Sequence, residues 1–154
     1  MDSTRTRTRG FTLVELVVVI MLAGILSAFA AVKLLDRGAL DARGFADQLT
    51  SALQFAQKAA VAQRRLIYVS VDTAARRARV CLDAGCTQRL TAPAGGDLDI
   101  TATSNVTLGS STSLFSFDGL GQPSFATAQS MTASGGAASF TITIEATTGY
   151  VHRT

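Results

Sequence analysis

A single glutamate, Glu15, lies inside a long apolar run near the N-terminus. The run covers residues 11–32, where eighteen of the 22 residues are apolar and Glu15 is the only charge. An ionised carboxylate in lipid is strongly unfavourable unless a group of opposite charge meets it, so such a residue is functional by default. The sequence therefore predicts a functional role for Glu15, with a cationic partner.

The residues around this run predict its placement in a membrane. At about 1.5 Å per residue, a helix of this length spans roughly 33 Å, enough for a bilayer core of about 30 Å. Arg5, Arg7 and Arg9 precede the run, and no comparable basic cluster directly follows it. This asymmetry places the N-terminus in the cytoplasm and the rest of the chain outside. The alternatives are a secretory signal peptide, which the long run without a clear cleavage turn disfavours, and an ordinary signal anchor.

Two cysteines, Cys81 and Cys86, are separated by four residues that include a glycine. A loop of this size can close a disulfide outside the cytoplasm, where oxidation is favoured. The alternative is a pair of reduced, packed thiols. Because the loop is short, a disulfide here is expected to stabilise the fold by an amount near the low end of about 2–4 kcal/mol.

Three arginines, Arg76, Arg77 and Arg79, could contact the phosphates of DNA. Such binding needs several basic side chains gathered on one surface. Alternation along a strand divides neighbouring side chains between two faces, which favours a solvated charged face over a DNA site. The formal net charge of +3 adds little support, because three arginines and one aspartate fall within residues 1–10. We therefore favour the solvated charged face, and DNA contact by these three residues stays a secondary hypothesis.

The sequence lacks the side-chain patterns of an active site. His152 is the only histidine, and with two cysteines it leaves too few ligands for a zinc site, which takes about four. Asp97 and Asp99 are interpreted as parts of a solvated loop, and no glycine-rich phosphate-binding motif is present. We expect neither a metal nor a cofactor, and no enzymatic activity.

The elements that position these residues follow from the apolar pattern. Residues 36–65 are predicted to form an amphipathic helix, and residues 66–154 a β-rich globular head. Residues 66–71 and 77–82 fit a hairpin, and residues 140–145 alternate as a strand does. The fold class is α+β, with a long N-terminal helix packed on an antiparallel β-rich head. The apolar stripe of the amphipathic helix consists of Phe45, Leu49, Leu53, Ala56 and Ala60.

Residues 10–16, with the sequence GFTLVEL, resemble the processing motif of type IV pilins and type II secretion pseudopilins. The resemblance implies a type IV pilin-like fold, with residues 1–10 as a leader and residues 11–35 as the transmembrane and filament helix. It implies cleavage after Gly10 by prepilin peptidase and N-methylation of Phe11. It also implies that Glu15 pairs with the terminal ammonium of a neighbouring subunit during assembly.

Two later segments narrow the resemblance. Residues 117–123, FDGLGQP, and residues 141–151 are similar to segments of the GspH/FimT type of minor pilins and pseudopilins. Residues 41–45 and 56–65 are most similar to a minor pilin of mannose-sensitive haemagglutinin (MSHA) pili. This implies a subunit that initiates or tips an MSHA-like pilus, with a GspH-type secretion pseudopilin and a FimT-like DNA-binding pilin as alternatives. The implied partners are other pilins or pseudopilins, prepilin peptidase and the inner-membrane assembly platform, with the head in the periplasm.

Overall fold

The computed structural model describes residues 12–34 and 37–154, with side chains for residues 12–27 and 37–154. Gly10 and Phe11, the predicted cleavage and methylation positions, lie outside the described residues. The chain divides into two compact units, Met1–Leu35 and Asp36–Thr154. Within the described ranges, no helix is both long and apolar enough to cross a membrane. The membrane span over residues 11–35 stays a prediction.

The first helix, α1, is Leu13–Leu34. Thr12 caps its start, because its carbonyl oxygen accepts the Leu16 N–H at 3.2 Å and its Oγ1 accepts the Glu15 N–H at 3.3 Å. Glu15 therefore lies in the first turn, where the helix dipole favours a negative charge. Large apolar side chains surround the helix, and their exposed fractions range from 48% at Val18 to 79% at Leu13.

The second helix, α2, is Arg37–Gln63, and all five residues of its predicted apolar stripe are buried. It ends in a Schellman motif, in which the Arg65 N–H donates to the Ala60 carbonyl at 3.2 Å and the Arg64 N–H to the Val61 carbonyl at 3.3 Å. Arg64 has a φ of 49° and occupies the left-handed position that glycine usually takes.

In the part of the chain that the structure describes, eight strands form two antiparallel four-stranded sheets with the orders β3-β2-β1-β5 and β4-β6-β7-β8. Strands of both sheets contact α2. The predicted α+β class, a helix packed on an antiparallel β-rich head, is therefore confirmed. The strands are β1 Ile67–Asp72, β2 Arg77–Cys81, β3 Asp99–Thr101, β4 Thr107–Ser110, β5 Leu114–Phe117, β6 Gln129–Gly135, β7 Ala138–Ile144 and β8 Val151–Arg153.

The core lies between the inner faces of the sheets and α2. In β1, Ile67, Val69 and Val71 are buried, and the residues between them are half-buried, as the two-residue period of a strand requires. In β7, Ile142 and Ile144 are buried in the same way. The predicted strand over residues 140–145 is thus found as β7, which starts two residues earlier and ends one residue earlier.

Candidate functional site

Glu15 is held by its backbone, whereas its side chain is exposed. Among the ion pairs that the described residues form, none includes the Glu15 carboxylate. Exposed apolar side chains, those of Leu13, Val14 and Leu16, flank it in the first turns of α1. An exposed carboxylate of this kind can pair with a cation from another molecule. The pairing of Glu15 with a neighbouring subunit stays a prediction.

The disulfide loop follows β2 of the first sheet. Cys81 ends β2 and is fully buried, and the structure joins it to Cys86 with a Cα–Cα distance of 5.1 Å. Cys86 has a φ of 54°, and its N–H donates to the Asp83 carbonyl at 3.1 Å. The loop therefore turns back within six residues.

Asp83 connects the disulfide loop to the two residues that follow Cys86. Its carboxylate accepts the N–H of Thr87 at 3.0 Å and the N–H of Gln88 at 2.7 Å. These amide groups hold the pKa of the Asp83 carboxyl below its usual value, because they stabilise the ionised form. Asp83 is thus a structural residue of the loop, and the described residues contain no cluster of side chains suited to hold a metal ion.

The three arginines considered for DNA contact have different settings. Arg76 lies in the turn between β1 and β2 with a φ of 52°. Arg77 and Arg79 project from one face of β2, on either side of the buried Ala78. Strand alternation therefore brings two of the three together and leaves Arg76 at the end of the strand.

Carboxylates lie among these arginines. Asp99 is 4.0 Å from Arg77 and 3.7 Å from Arg89, and Asp97 is 3.0 Å from Arg89. The interpretation of Asp99 as part of a solvated loop is wrong, since this residue lies in β3 and its side chain is only 21% exposed. β3 pairs with β2, and the pairing sets the acidic side chains beside the basic ones. Arg77 and Arg89 thus form an ion-pair network with Asp97 and Asp99, whereas Arg76 and Arg79 belong to none of the ion pairs among the described residues.

The segment FDGLGQP forms a tight turn after β5. Asp118 Oδ1 accepts the N–H of Leu120 at 2.9 Å and the N–H of Gln122 at 2.8 Å. The Asp118 N–H donates to the Gln122 carbonyl at 2.9 Å, and the Gly121 N–H donates to the Asp118 carbonyl at 2.9 Å. Gly121 has a φ of 82°, which only glycine adopts without strain. The segment is therefore a rigid structural element, which we call the Asp118 turn, residues 118–122.

Gln57 of α2 joins this turn to the turn before β8. Its Nε2 donates to the Gly121 carbonyl at 3.0 Å and to the Thr148 carbonyl at 2.8 Å. A Cβ at Gly149 would collide with the Gly121 carbonyl oxygen, so the two turns are in direct contact. The two segments that carry the narrower resemblance, far apart in the sequence, therefore meet at one glutamine. The sequence pattern shows Gln57 only as a polar residue beside the apolar stripe, which gives no sign of this role.

Family models match both parts of the chain. The model described as "Prokaryotic N-terminal methylation motif" matches residues 5–31, and the model described as "Type II transport protein GspH" matches residues 46–149, about two thirds of the chain. The chain belongs to the GspH family. Its members are pilin-like structural subunits without enzymatic activity, as the sequence predicts for this chain.

Solved structures show the same fold. The type IV minor pilin FimU of Pseudomonas aeruginosa is 17% identical, with a TM-score of 0.57, and the match covers 73% of this chain and 91% of FimU. The minor pseudopilin EpsH from the Type 2 Secretion System of Vibrio cholerae is 12% identical, with a TM-score of 0.61, and the match covers 74% of this chain and 96% of EpsH. At these identities the likeness establishes the pilin-like fold alone. No curated protein sequence matches the chain.

The family assignment supports the general placement predicted from the sequence. Members of the family are anchored in the inner membrane by an N-terminal segment and carry a periplasmic head. They assemble with other pilins or pseudopilins and are processed by prepilin peptidase. This GspH-family chain is accordingly a minor pilin or pseudopilin, and the machine that it serves is a separate question.

Proposed function

We propose that this GspH-family protein is a minor pilin that initiates or tips a type IV pilus of the MSHA kind. Prepilin peptidase cleaves after Gly10, Phe11 becomes the methylated N-terminus, and residues 11–35 hold the subunit in the inner membrane before assembly. The observation that carries the proposal is the surface of α1. Large apolar side chains between Leu13 and Leu26 are exposed, and an exposed carboxylate, Glu15, lies in the first turn.

The chemistry of Glu15 determines the register of assembly in this proposal. Cleavage after Gly10 would leave an ammonium group on Phe11, which lipid accepts only beside an opposite charge. The Glu15 carboxylate of a neighbouring subunit supplies that charge. Each charge then neutralises the other only when the helices stack with one relative offset, so the pair selects a register as well as a partner.

Incorporation into filaments tests this pairing. The variant Glu15→Gln keeps the shape of the side chain and removes its charge, and the chain's other glutamate, Glu145, permits the same change in the head as a control. We expect Glu15→Gln to reduce the amount of subunit in sheared surface filaments about tenfold or more, because an unpaired buried charge is unfavourable by several kcal/mol. Glu145→Gln should leave incorporation unchanged. Mass spectrometry of the N-terminal peptide reports cleavage and methylation separately.

Equal incorporation of the Glu15→Gln and Glu145→Gln proteins would overturn the pairing. A mature N-terminus at any residue other than Phe11 would overturn the processing assignment. A third result would concern the protein without substitutions. If it is absent from surface filaments, and deletion of its gene abolishes type II secretion, the role of a secretion pseudopilin would replace the pilus role. The likeness to EpsH supports this second candidate at the level of fold.

DNA capture by Arg76, Arg77 and Arg79 stays a secondary prediction. Arg77 and Arg89 already lie beside the carboxylates of Asp97 and Asp99. These acidic groups repel phosphate and lower the number of counterions that DNA binding could release. The ion-pair network therefore disfavours this role for the described head.

A further inference from the structure

Leu120, in the middle of the Asp118 turn, is the most exposed large apolar side chain in the part of the chain that the structure describes. It is 81% exposed. The residues on both sides of it are fixed by the hydrogen bonds of the turn and by the left-handed backbone at Gly121. The turn therefore fixes the backbone position from which the Leu120 side chain extends into solvent.

The turn is fixed to the end of α2 as well as within itself. A Cβ at Gly119 would come within 3.2 Å of the Arg64 Cα, so this glycine allows the turn to lie directly on the Schellman motif. Gln57, further back in α2, donates a hydrogen bond from its Nε2 to the Gly121 carbonyl. The backbone that carries Leu120 is thus pre-organised, so little of it has to become ordered when a partner covers the side chain.

A shallow surface depression adjoins Leu120. Its volume is about 550 Å³, and it is lined by Val61, Arg64, Gly119 and Leu120. Val61 is 45% exposed in the last turn of α2. Arg64 is the one charged residue in the lining, and it belongs to none of the ion pairs among the described residues. We call these four residues the Leu120 surface.

The chemistry of the Leu120 surface identifies the kind of partner. One arginine is too few for DNA, which needs several cations, or for an anionic membrane, which attracts polybasic segments. In a two-fold contact with a second copy, the same patch meets itself and brings Arg64 close to its counterpart, which like charges disfavour. A different protein chain that presents apolar side chains beside a carboxylate satisfies both Leu120 and Arg64.

We propose that the Leu120 surface docks the head of a sister subunit of the same assembly, with Leu120 as the apolar anchor and Arg64 paired to an Asp or Glu of that subunit. The identity of the partner rests on the proposed function, whereas the apolar and acidic character of its contact rests on the geometry above. The surface adds a head-to-head contact to the α1 contacts that Glu15 would govern.

Site-specific photo-crosslinking tests this docking in cells that express the full chain and its sister subunits. A benzophenone amino acid replaces Leu120, and the matched control places it at Leu114, another exposed leucine, in β5 of the first sheet. We expect an adduct with a sister subunit from position 120 and none from position 114. The crosslinked peptide of the partner should contain apolar residues and an Asp or Glu. Arg64→Glu should reduce the adduct about tenfold or more.

Three results would overturn the docking: equal adducts from positions 120 and 114, an adduct only with a second copy of this chain, or an adduct that Arg64→Glu leaves unchanged. Restoration of the Arg64→Glu adduct by a lysine at the mapped acidic position of the partner would support the ion pair directly. Sheared filaments from the same cells separate the two proposals. If the chain is present in filaments and no adduct forms, the docking fails and the proposed function stands; if it is absent from them, the proposed function fails.

Discussion

The two helices differ in how far their apolar side chains are buried. In residues 13–26 of α1, most large apolar side chains are exposed, and those of Leu13 and Leu22 are 79% and 55% exposed. Along α2, one stripe is buried and the opposite side is polar, so that Leu49 and Leu53 are 0% and 1% exposed. An amphipathic helix faces its own core, whereas a helix that is apolar all round needs another molecule to cover it.

The hydrogen bonds of polar side chains differ between the two helices as well. In α1, the Ser27 hydroxyl donates to the Ala23 carbonyl of the same helix at 2.7 Å. In α2, Gln54 donates to the Val151 carbonyl at 3.2 Å, and Gln57 donates to two carbonyls in distant turns. The bonds of α2 therefore hold the head together, whereas the Ser27 bond stays within α1. The comparison teaches that the fold of the head accounts for the buried stripe of α2, and that the proposed assembly has to account for the exposed apolar side chains described in α1.

The largest change in the free energy of unfolding should come from substitutions in the buried stripe of α2. We expect Leu49→Ala to lower the free energy of unfolding of the head by about 2–5 kcal/mol, because it leaves a cavity in a packed core. The matched change in α1, Leu22→Ala, should alter it by less than about 0.5 kcal/mol. Urea titration of the full chain in detergent micelles, followed by near-UV circular dichroism, measures both. A comparable loss from Leu22→Ala would break the comparison, since it would show that α1 also stabilises the head.

A smaller effect should come from the glutamine that connects α2 with two turns. Gln57→Ala removes two hydrogen bonds to backbone carbonyls, and we expect it to lower the free energy of unfolding by about 1–2 kcal/mol. Gln48→Ala is the control, because Gln48 is an exposed glutamine of the same helix. The same urea titration compares the two variants. Equal values for both would mean that α2 is held by its apolar stripe alone.

The sequence predicts α2 well because local periodicity carries the information. The stripe that includes Phe45 and Ala60 recurs at helical spacing, and every member of it is buried. The strand β7 is predicted for the same reason, since its alternation is visible without knowledge of any partner.

Long-range pairing was beyond the reach of local patterns. β3 is only three residues long, and its place beside β2 depends on tertiary contacts, so Asp99 was wrongly interpreted as part of a solvated loop. In the sequence, Gln57 is indistinguishable from a solvated glutamine. Its hydrogen bonds depend on turns that are more than sixty residues away along the chain. The role of Glu15 is predicted from the resemblance of the motif. The structure of a single chain shows that the carboxylate is exposed, but the partner would belong to another subunit.

The smallest effect should come from the ion pair between Asp47 of α2 and Arg153 of β8. The side chains are 59% and 27% exposed, so solvent screens their attraction, and Arg153 also lies 5.3 Å from the centre of the Phe140 ring. A double-mutant cycle with Asp47→Ala and Arg153→Ala isolates the pair from that ring contact. We expect a coupling energy of about 0.2–1 kcal/mol that falls as salt is added. A coupling above about 2 kcal/mol that persists in high salt would contradict this. It would mean that charge, as much as apolar burial, binds α2 to the head, and the contrast with α1 would then rest on ion pairing as well as on burial.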